Sequence, residues 1–287
     1  MNNATIVERL SEIERLPTLP VVIRELQALI VNPRSNMSQI AKAISRDQAI
    51  ASRVIRLVNS AFYGLRTPVA SIQQAIVILG LNTVKNITLG VSVVNSFGSS
   101  VAASIFDREQ FWIHGFATAL ASKYLARGLK YPEPEDFFLT GLLHDIGILV
   151  LDQFFHDEFV QVLQCTVRQK ALFHHIEKEC LATDHCEIGS LLAEKWGLPK
   201  FVIDAIRYHH TPGMGMAQCP ESRDKIALAH VAEAEMRQRG IGSVVPGWIN
   251  GPETHIREKT AIAVSDIDAI SNKVGEEVQA LMKEWGI

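Results

Sequence analysis

The sequence predicts an all-α protein, built as a multi-helix bundle in two parts. Apolar residues recur at spacings of three and four, and sustained alternation at a period of two is missing, so we expect helices and no sheet. The pattern is clearest over residues 266–285, behind Asp266, which is a residue type suited to an N-cap. Its apolar positions are Ile267, Ile270, Val274, Val278, Leu281, Met282 and Trp285.

Two helices upstream show the same pattern behind a capping residue. Asp47 is placed to cap a helix that carries Ile50, Val54, Leu57 and Val58. Asn82 is placed to cap one that carries Val84, Ile87, Val91 and Val94. The run AIVILG at residues 75–80 is rich in β-branched residues and locally ambiguous, but its helical neighbours favour a helix.

The composition is that of a globular chain long enough for two domains. Its 287 residues are 47% apolar and 21% charged, and the formal charge of −3 creates no long-range field for nucleic acid or an anionic membrane. The N-terminus lacks the basic start and apolar core of a signal peptide, and no uninterrupted apolar run reaches membrane-spanning length. We therefore expect a cytoplasmic protein. The four cysteines form no CxxC pair and are expected to be core thiols.

A stretch containing Gly and Ser, SFGSSVAAS at residues 96–104, predicts a domain boundary near residue 100. It divides the chain into an N-terminal helical part, residues 1–100, and a second part, residues 101–287, that holds nearly all the histidines. Two stretches that contain Gly and Pro, at 210–222 and 240–255, are expected to be loops.

Six of the ten histidines and one aspartate are candidate metal ligands. Each histidine lies on or at the end of a predicted helix, and the His-Asp pair lies in the otherwise apolar helix GLLHDIGIL. Several imidazoles with one carboxylate suit Fe, Mn or Zn, and a carboxylate can bridge two such ions. The set is His114, His144, Asp145, His185, His209, His210 and His230. The others, His156, His174, His175 and His255, fit no pattern and are expected to be ordinary core or surface side chains.

The candidate ligands occur in ordered motifs that cover most of the chain. His114 is followed by His144-Asp145, then by DHCEIGSLLAEKWGLP and IDAIRYHHTP. This order resembles the HD-superfamily phosphohydrolases, in particular the HD-GYP branch. The N-terminal half contains LPTLPVVIRELQALI, SQIAKAISRDQAIASRVIRLVNSAFYG and SIQQAIVILGLNTVKNITLG, and looks like the HDOD family, the HD-related output domain of bacterial signalling proteins. The resemblance runs from about residue 14 to 235.

The resemblance implies an all-α, two-part fold with an HD-like helical core, a role in signal transduction, and a core that is often degraded. The chain departs from the HD pattern at His230, where a final aspartate is expected, at Gln110, where HD-GYP proteins have glutamate, and at Ile148, where lysine usually follows HDIG. The GYP signature is also missing. Imidazole for carboxylate keeps a soft metal ligand, whereas loss of the lysine removes a charge that could stabilise a reacting phosphoryl group.

Two functions from different classes are consistent with these residues. The favoured one is a regulatory module that acts through protein partners and does no hydrolysis, with a metal ion that is structural or vestigial. One or two divalent transition metal ions are expected: two would favour an enzyme, and one or none the regulatory module. The alternative is a metal-dependent phosphohydrolase acting on a nucleotide or cyclic dinucleotide. In that enzyme one ion is held by His114, His144, Asp145 and His230, and a second by Asp145, His185, His209 and His210.

Two further interpretations remain open at this point. The histidines could hold each other by hydrogen bonds without any metal ion. Residues 38–60 could also form a helix-turn-helix with Arg53 and Arg56 on its recognition helix. DNA binding is disfavoured, because Ile50 and Val54 commit one face of that helix to packing.

Overall fold

The regular secondary structure in the part of the chain that the computed structural model describes is helical. That part comprises residues 6–7, 21–31, 36–60, 62–97, 106–242, 256 and 264–286. Within it no strand occurs, which confirms the all-α prediction. The N-terminal helices are α1 (Val21–Val31), α2 (Met37–Arg46), α3 (Gln48–Val58), α4 (Ile72–Leu79) and α5 (Leu81–Ser96).

A second series of helices follows from residue 108. It comprises α6 (Arg108–Gly128), α7 (Pro134–Leu143), α8 (Ile146–Phe154), α9 (His156–Gln169), α10 (Phe173–Leu181), α11 (His185–Lys195), α12 (Lys200–Tyr208), α13 (Pro212–Gln218), α14 (Arg223–Gln238) and α15 (Val264–Trp285).

The chain divides into two compact units. The small unit comprises Pro17–Gly98 and Gln279–Ile287, and the large unit comprises Met1–Leu16 and Ser99–Val278. The domain boundary near residue 100 stays a prediction, because these units are defined by contacts and not by independent folding.

Helix capping in the small unit agrees with the sequence at one position and differs at another. The Asp47 side chain accepts a hydrogen bond from the Ile50 N–H at 3.0 Å, so it caps α3 as predicted. The prediction for Asn82 is wrong, since α5 begins at Leu81 and Asn82 lies inside its first turn. The preceding Gly80 has φ +86°, a conformation that ends α4 and lets α5 start at once.

The segment read as a possible helix-turn-helix is packed in the way that disfavours DNA binding. It forms α2 and α3, and the apolar face of α3 is buried. Arg53 donates a hydrogen bond to Asn95 on α5, within the same unit. The buried residues of α3 are Ile50, Ala51, Val54, Leu57 and Val58.

Two glycines allow helices of the large unit to approach closely. A Cβ on Gly141 of α7 would lie 2.7 Å from the Ala119 Cα of α6, nearer than side chains tolerate. A Cβ on Gly147 of α8 would lie 2.9 Å from the Gly189 N of α11. These contacts bring α6, α8 and α11 around the end of α7, and His144 follows directly on that end.

Three further expectations need correction or fall outside the described residues. The predicted loop at 210–222 contains the short helix α13, whose first residue, Pro212, has a fixed φ that suits a helix start. Of the predicted loop at 240–255, residues 243–255 lie outside the described part. Asp266 lies in the first turn of α15 and not at its N-cap, because that helix begins at Val264.

Among the described residues, one stretch is long and apolar enough to cross a membrane by length and composition. It is Pro134–Phe154, and 89% of its apolar window is buried inside the protein. Core helices pass the same test, and this stretch consists of α7 and α8, which lie in the core of the large unit.

Candidate metal centre

The sequence predicted that the His144-Asp145 pair lies inside one helix. In the structure the pair lies at a break between two helices. α7 ends at Leu143 and α8 begins at Ile146. His144 keeps helical dihedrals as the residue after α7, while Asp145 precedes α8 with φ −101° and ψ 11°. On one straight helix adjacent side chains diverge by about 100°. The break lets both side chains point toward the same region, with 3.2 Å between His144 Nε2 and Asp145 Oδ2.

Imidazole nitrogens from distant helices surround the Asp145 carboxylate. Oδ1 lies 3.3 Å from Nε2 of His185 and 3.4 Å from Nε2 of His209, which are 3.4 Å from each other. Oδ2 lies 3.2 Å from Nε2 of His144 and 4.0 Å from Nε2 of His114. The structure thus brings five of the seven predicted ligands to a common point, through residues of α6, the α7–α8 break, α11 and the end of α12.

The other ring nitrogen of each of these four histidines, Nδ1, faces a hydrogen-bond acceptor. Nδ1 of His144 lies 2.7 Å from the Gly141 carbonyl, and Nδ1 of His209 lies 2.8 Å from the Ile206 carbonyl. Nδ1 of His185 lies 2.5 Å from the Glu177 carboxylate on α10. His114 Nδ1 is 3.5 Å from the Ile241 carbonyl. Donation from Nδ1 directs the Nε2 lone pair inward, which is how metal-binding histidines are held.

The donor atoms fit a transition metal ion. Within the described residues, His114 Nε2, His144 Nε2 and Asp145 Oδ1 are buried atoms without a well-formed hydrogen bond. Ligands about 2.1 Å from one ion are about 3.0–3.4 Å apart in octahedral or tetrahedral geometry. Asp145 Oδ1, His185 Nε2 and His209 Nε2 lie 3.3–3.4 Å from one another, which matches that range. Nitrogen and carboxylate donors together suit Fe, Mn or Zn.

Burial and charge shift the ionisation of these groups in opposite directions. Burial raises the pKa of Asp145, but the charge of His144 and hydrogen bonds from the surrounding histidines lower it well below its usual value. Burial, aided by Arg237, lowers the pKa of His114 to about 3. Burial likewise lowers the pKa of His185 and His209, but the neighbouring Cys186 and acidic groups raise it above the usual value. A proton or a metal ion can therefore supply the positive charge next to Asp145.

Of the remaining two predicted ligands, His210 forms a close ligand group with His185, Cys186 and His209, whereas His230 lies to one side. His230 Nδ1 is 2.8 Å from the His209 carbonyl, and His230 belongs to none of the close ligand groups found among the described residues. The position beside His114 and His144 is taken by Glu233, one turn further along α14. His210 Nδ1 lies 3.7 Å from Glu233, and its ring stacks on that of His174, at 4.2 Å between centroids. His174, expected to be an ordinary side chain, thus contacts the edge of the centre.

Four functional candidates were missed from the sequence. Glu177 holds His185, Cys186 places its sulfur 3.6 Å from His185 Nε2, and Glu233 and Arg237 form an ion pair of 3.0 Å on α14. A signal existed only for the last two. They are charged residues spaced by four in the Ala-rich segment IALAHVAEAEMR, whose remaining positions are largely small and apolar.

These features define an all-helical protein whose core holds an HD-type histidine and aspartate centre. The chain belongs to the HDOD family, since the HDOD domain model matches residues 16–212. It is 29% identical over 248 residues to an uncharacterized protein of Treponema pallidum (strain Nichols), covering 85% of this chain and 45% of the relative. The chain therefore spans less than half the length of that relative.

Two solved structures share the fold over nearly the whole chain. A Geobacter sulfurreducens HDOD domain protein of unknown function is 24% identical, with a TM-score of 0.75, covering 97% of this chain and 95% of that one. A Shewanella amazonensis SB2B protein described as a candidate phosphohydrolase is 26% identical, with a TM-score of 0.71 and coverage of 98% and 96%.

Proposed function

We propose that this chain is a signal-transduction output module of HDOD type that acts through protein partners, with a metal ion that has a structural role. The ion is a divalent Fe, Mn or Zn held by Asp145 Oδ1, His185 and His209, whose donor atoms lie 3.3–3.4 Å from one another. Such an ion, when bound, links residues of α11, α12 and the α7–α8 break and so stabilises the large unit. Family membership supports the signalling role.

The observation that carries this proposal is the closure of the centre. The side chains of His144, His185 and His209 are 0% exposed, that of His114 is 1% and that of Asp145 is 2% exposed. Hydrolysis of a phosphodiester needs an open coordination position at the metal ion, and the deep burial of all these side chains favours a structural site instead. A closed set of ligands is typical of structural metal sites.

The electrostatics of the HDIG motif also argue against hydrolysis. Ile148 stands where the HD family usually has lysine, and it is completely buried in the apolar core. Loss of one electrostatic contact to the reacting group typically lowers the rate by about 10²-fold or more. The sequence therefore keeps the metal ligands and lacks part of the catalytic machinery.

An exposed apolar pair in the small unit supports action through a partner protein. Val77 and Ile78 on α4 are 70% and 54% exposed, and they line a shallow surface depression together with Ser71, Gln73 and Gln74. Exposed apolar side chains next to polar ones can contribute to a contact with a partner protein.

The alternative function is that of a metal-dependent phosphohydrolase for a nucleotide or cyclic dinucleotide. The description of the Shewanella amazonensis relative, 26% identical over nearly the whole chain, favours it. So does the retention of the HD ligands. It requires the centre to open.

Metal content and turnover distinguish the two functions. The protein is reconstituted with Fe(II), Mn(II) or Zn(II), analysed for bound metal, and incubated with cyclic dinucleotides and with bis(p-nitrophenyl) phosphate. We expect bound metal without turnover, loss of the metal in Asp145→Asn, and retention in the control Asp136→Asn on α7. Turnover that Asp145→Asn abolishes would overturn the proposal in favour of the enzyme.

A further inference from the structure

We infer that Arg237 is a built-in cation that takes the place of a second metal ion, so that the centre holds one ion and not two. This inference rests on the proposed metal binding. It concerns the side of the Asp145 carboxylate that faces away from His185 and His209.

The two oxygens of Asp145 face different surroundings. Oδ1 faces Nε2 of His185 and Nε2 of His209, at 3.3 and 3.4 Å. Oδ2 faces His144, His114 and Arg237, whose Nη2 lies 3.5 Å away. A carboxylate that bridges two metal ions needs both oxygens, and here a guanidinium already lies against Oδ2.

Arg237 also forms an ion pair with Glu233, the second carboxylate that another metal ion would need as a ligand. Its Nε lies 3.0 Å from Oε1 of Glu233, one turn earlier on α14. Glu233 forms the second close ligand group, with His114 and His144. Both acidic oxygens on this side are therefore paired with one guanidinium, which stays charged at every pH that proteins tolerate.

The balance of charge favours a single ion. Three carboxylates, those of Asp145, Glu177 and Glu233, contribute three negative charges, and each is at least 95% buried. Arg237 with one divalent ion supplies three positive charges. A second divalent ion would raise the total to five positive charges. These charges would lie at short range in the buried core, where like charges repel strongly.

The test counts metal ions per chain. The full chain is dialysed against excess Mn(II), and its metal content is measured by inductively coupled plasma mass spectrometry, with electron paramagnetic resonance to detect coupling between two Mn(II) ions. We expect one ion in the wild type, two coupled ions in Arg237→Gln, and one in Arg237→Lys, which keeps the charge. The matched control is Arg207→Gln, which removes a surface partner of Glu194 and should leave one ion.

Each outcome has a separate meaning. Two ions in the wild type, or one ion in folded Arg237→Gln, would overturn the role of Arg237 and leave the proposed function standing. No ion in the wild type or in either Arg237 variant would contradict the proposed metal site, and the inference with it. If Arg237→Gln does not fold, as judged by circular dichroism, the neutral variant Arg237→Met takes its place with the same expected count of two ions, and two ions in the wild type would overturn the inference in either case.

Discussion

Gly147→Ala is expected to destabilise the large unit and to weaken metal binding at the same time. Gly147 lies two residues after Asp145, where α8 crosses α11. An added Cβ would contact the His185 carbonyl oxygen, and it would lie 2.7 Å from the carbonyl carbon of that residue and 2.9 Å from Gly189 N. All three are backbone atoms, so no side-chain rotation can relieve the contact.

The magnitude follows from the displacement required. Restoring ordinary contact at 3.4 Å from 2.7 Å moves α8 and α11 apart by at least about 0.7 Å. Overpacking costs typically about 1–3 kcal/mol, and we expect the upper end of that range because backbone meets backbone. Metal ligand distances tolerate only about 0.2 Å, so separating Asp145 from His185 should lower metal affinity by at least about tenfold.

Urea unfolding of the metal-free protein, followed by circular dichroism, measures the change in the free energy of unfolding. With a urea dependence of about 3 kcal/mol per molar, the midpoint should fall by about 1 M. Gly275→Ala on α15 is the matched control, because no atom of the described residues lies within 4 Å of its added Cβ and alanine favours a helix. An unchanged midpoint and unchanged metal affinity in Gly147→Ala would refute the assigned close packing of α8 on α11.

The remaining predictions concern two buried acids and their partners. Glu177→Gln should lower metal affinity by about 10–100-fold, measured by chelator competition, because it weakens the acceptor that orients His185; an affinity equal to wild type would contradict this role. Lys123→Met should destabilise the protein in urea by up to about 3 kcal/mol, because Glu135 loses the ammonium at 2.6 Å and keeps only Arg127 at 4.0 Å among the described residues; the double variant Lys123→Met/Glu135→Leu should be neutral or more stable. Burial lowers the pKa of Lys123 from 10.5 to about 8. Between pH 8 and pH 10.5 the unfolded chain therefore keeps a proton on Lys123 that the folded chain has released. Stability of the wild type relative to that double variant should therefore rise from pH 8 to 9.5, by up to about 1.4 kcal/mol per pH unit, and a flat difference would contradict the shifted pKa.

Local features of the sequence predicted the helices well. Periodicity and the Asp47 cap depend on residues within a few positions of each other, and the structure agrees with them. The error at Asn82 is also local, because Gly80 could end one helix and start the next without an intervening cap residue. The short helix from Pro212 was missed since Gly and Pro are common in loops as well as at helix ends.

The centre was predictable only in part. Motif order pointed to His114, His144, Asp145, His185 and His209, which the structure places around one carboxylate. Motif order predicted His230 as a ligand. Glu233, one helical turn further along α14, is the residue that lies close to His114. That choice depends on the rotation of α14 in the bundle, which no local pattern records.

By itself, the sequence determined the helical fold class, the family resemblance and most of the candidate ligands, because periodicity and motif spacing are properties of the chain. Tertiary structure decided what surrounds Asp145. The close crossings at Gly141 and Gly147, the acceptor Glu177 and the cation Arg237 come from segments up to 92 residues from Asp145 along the chain. Their positions follow from helix packing, in which side-chain volumes across the whole core determine which charges meet.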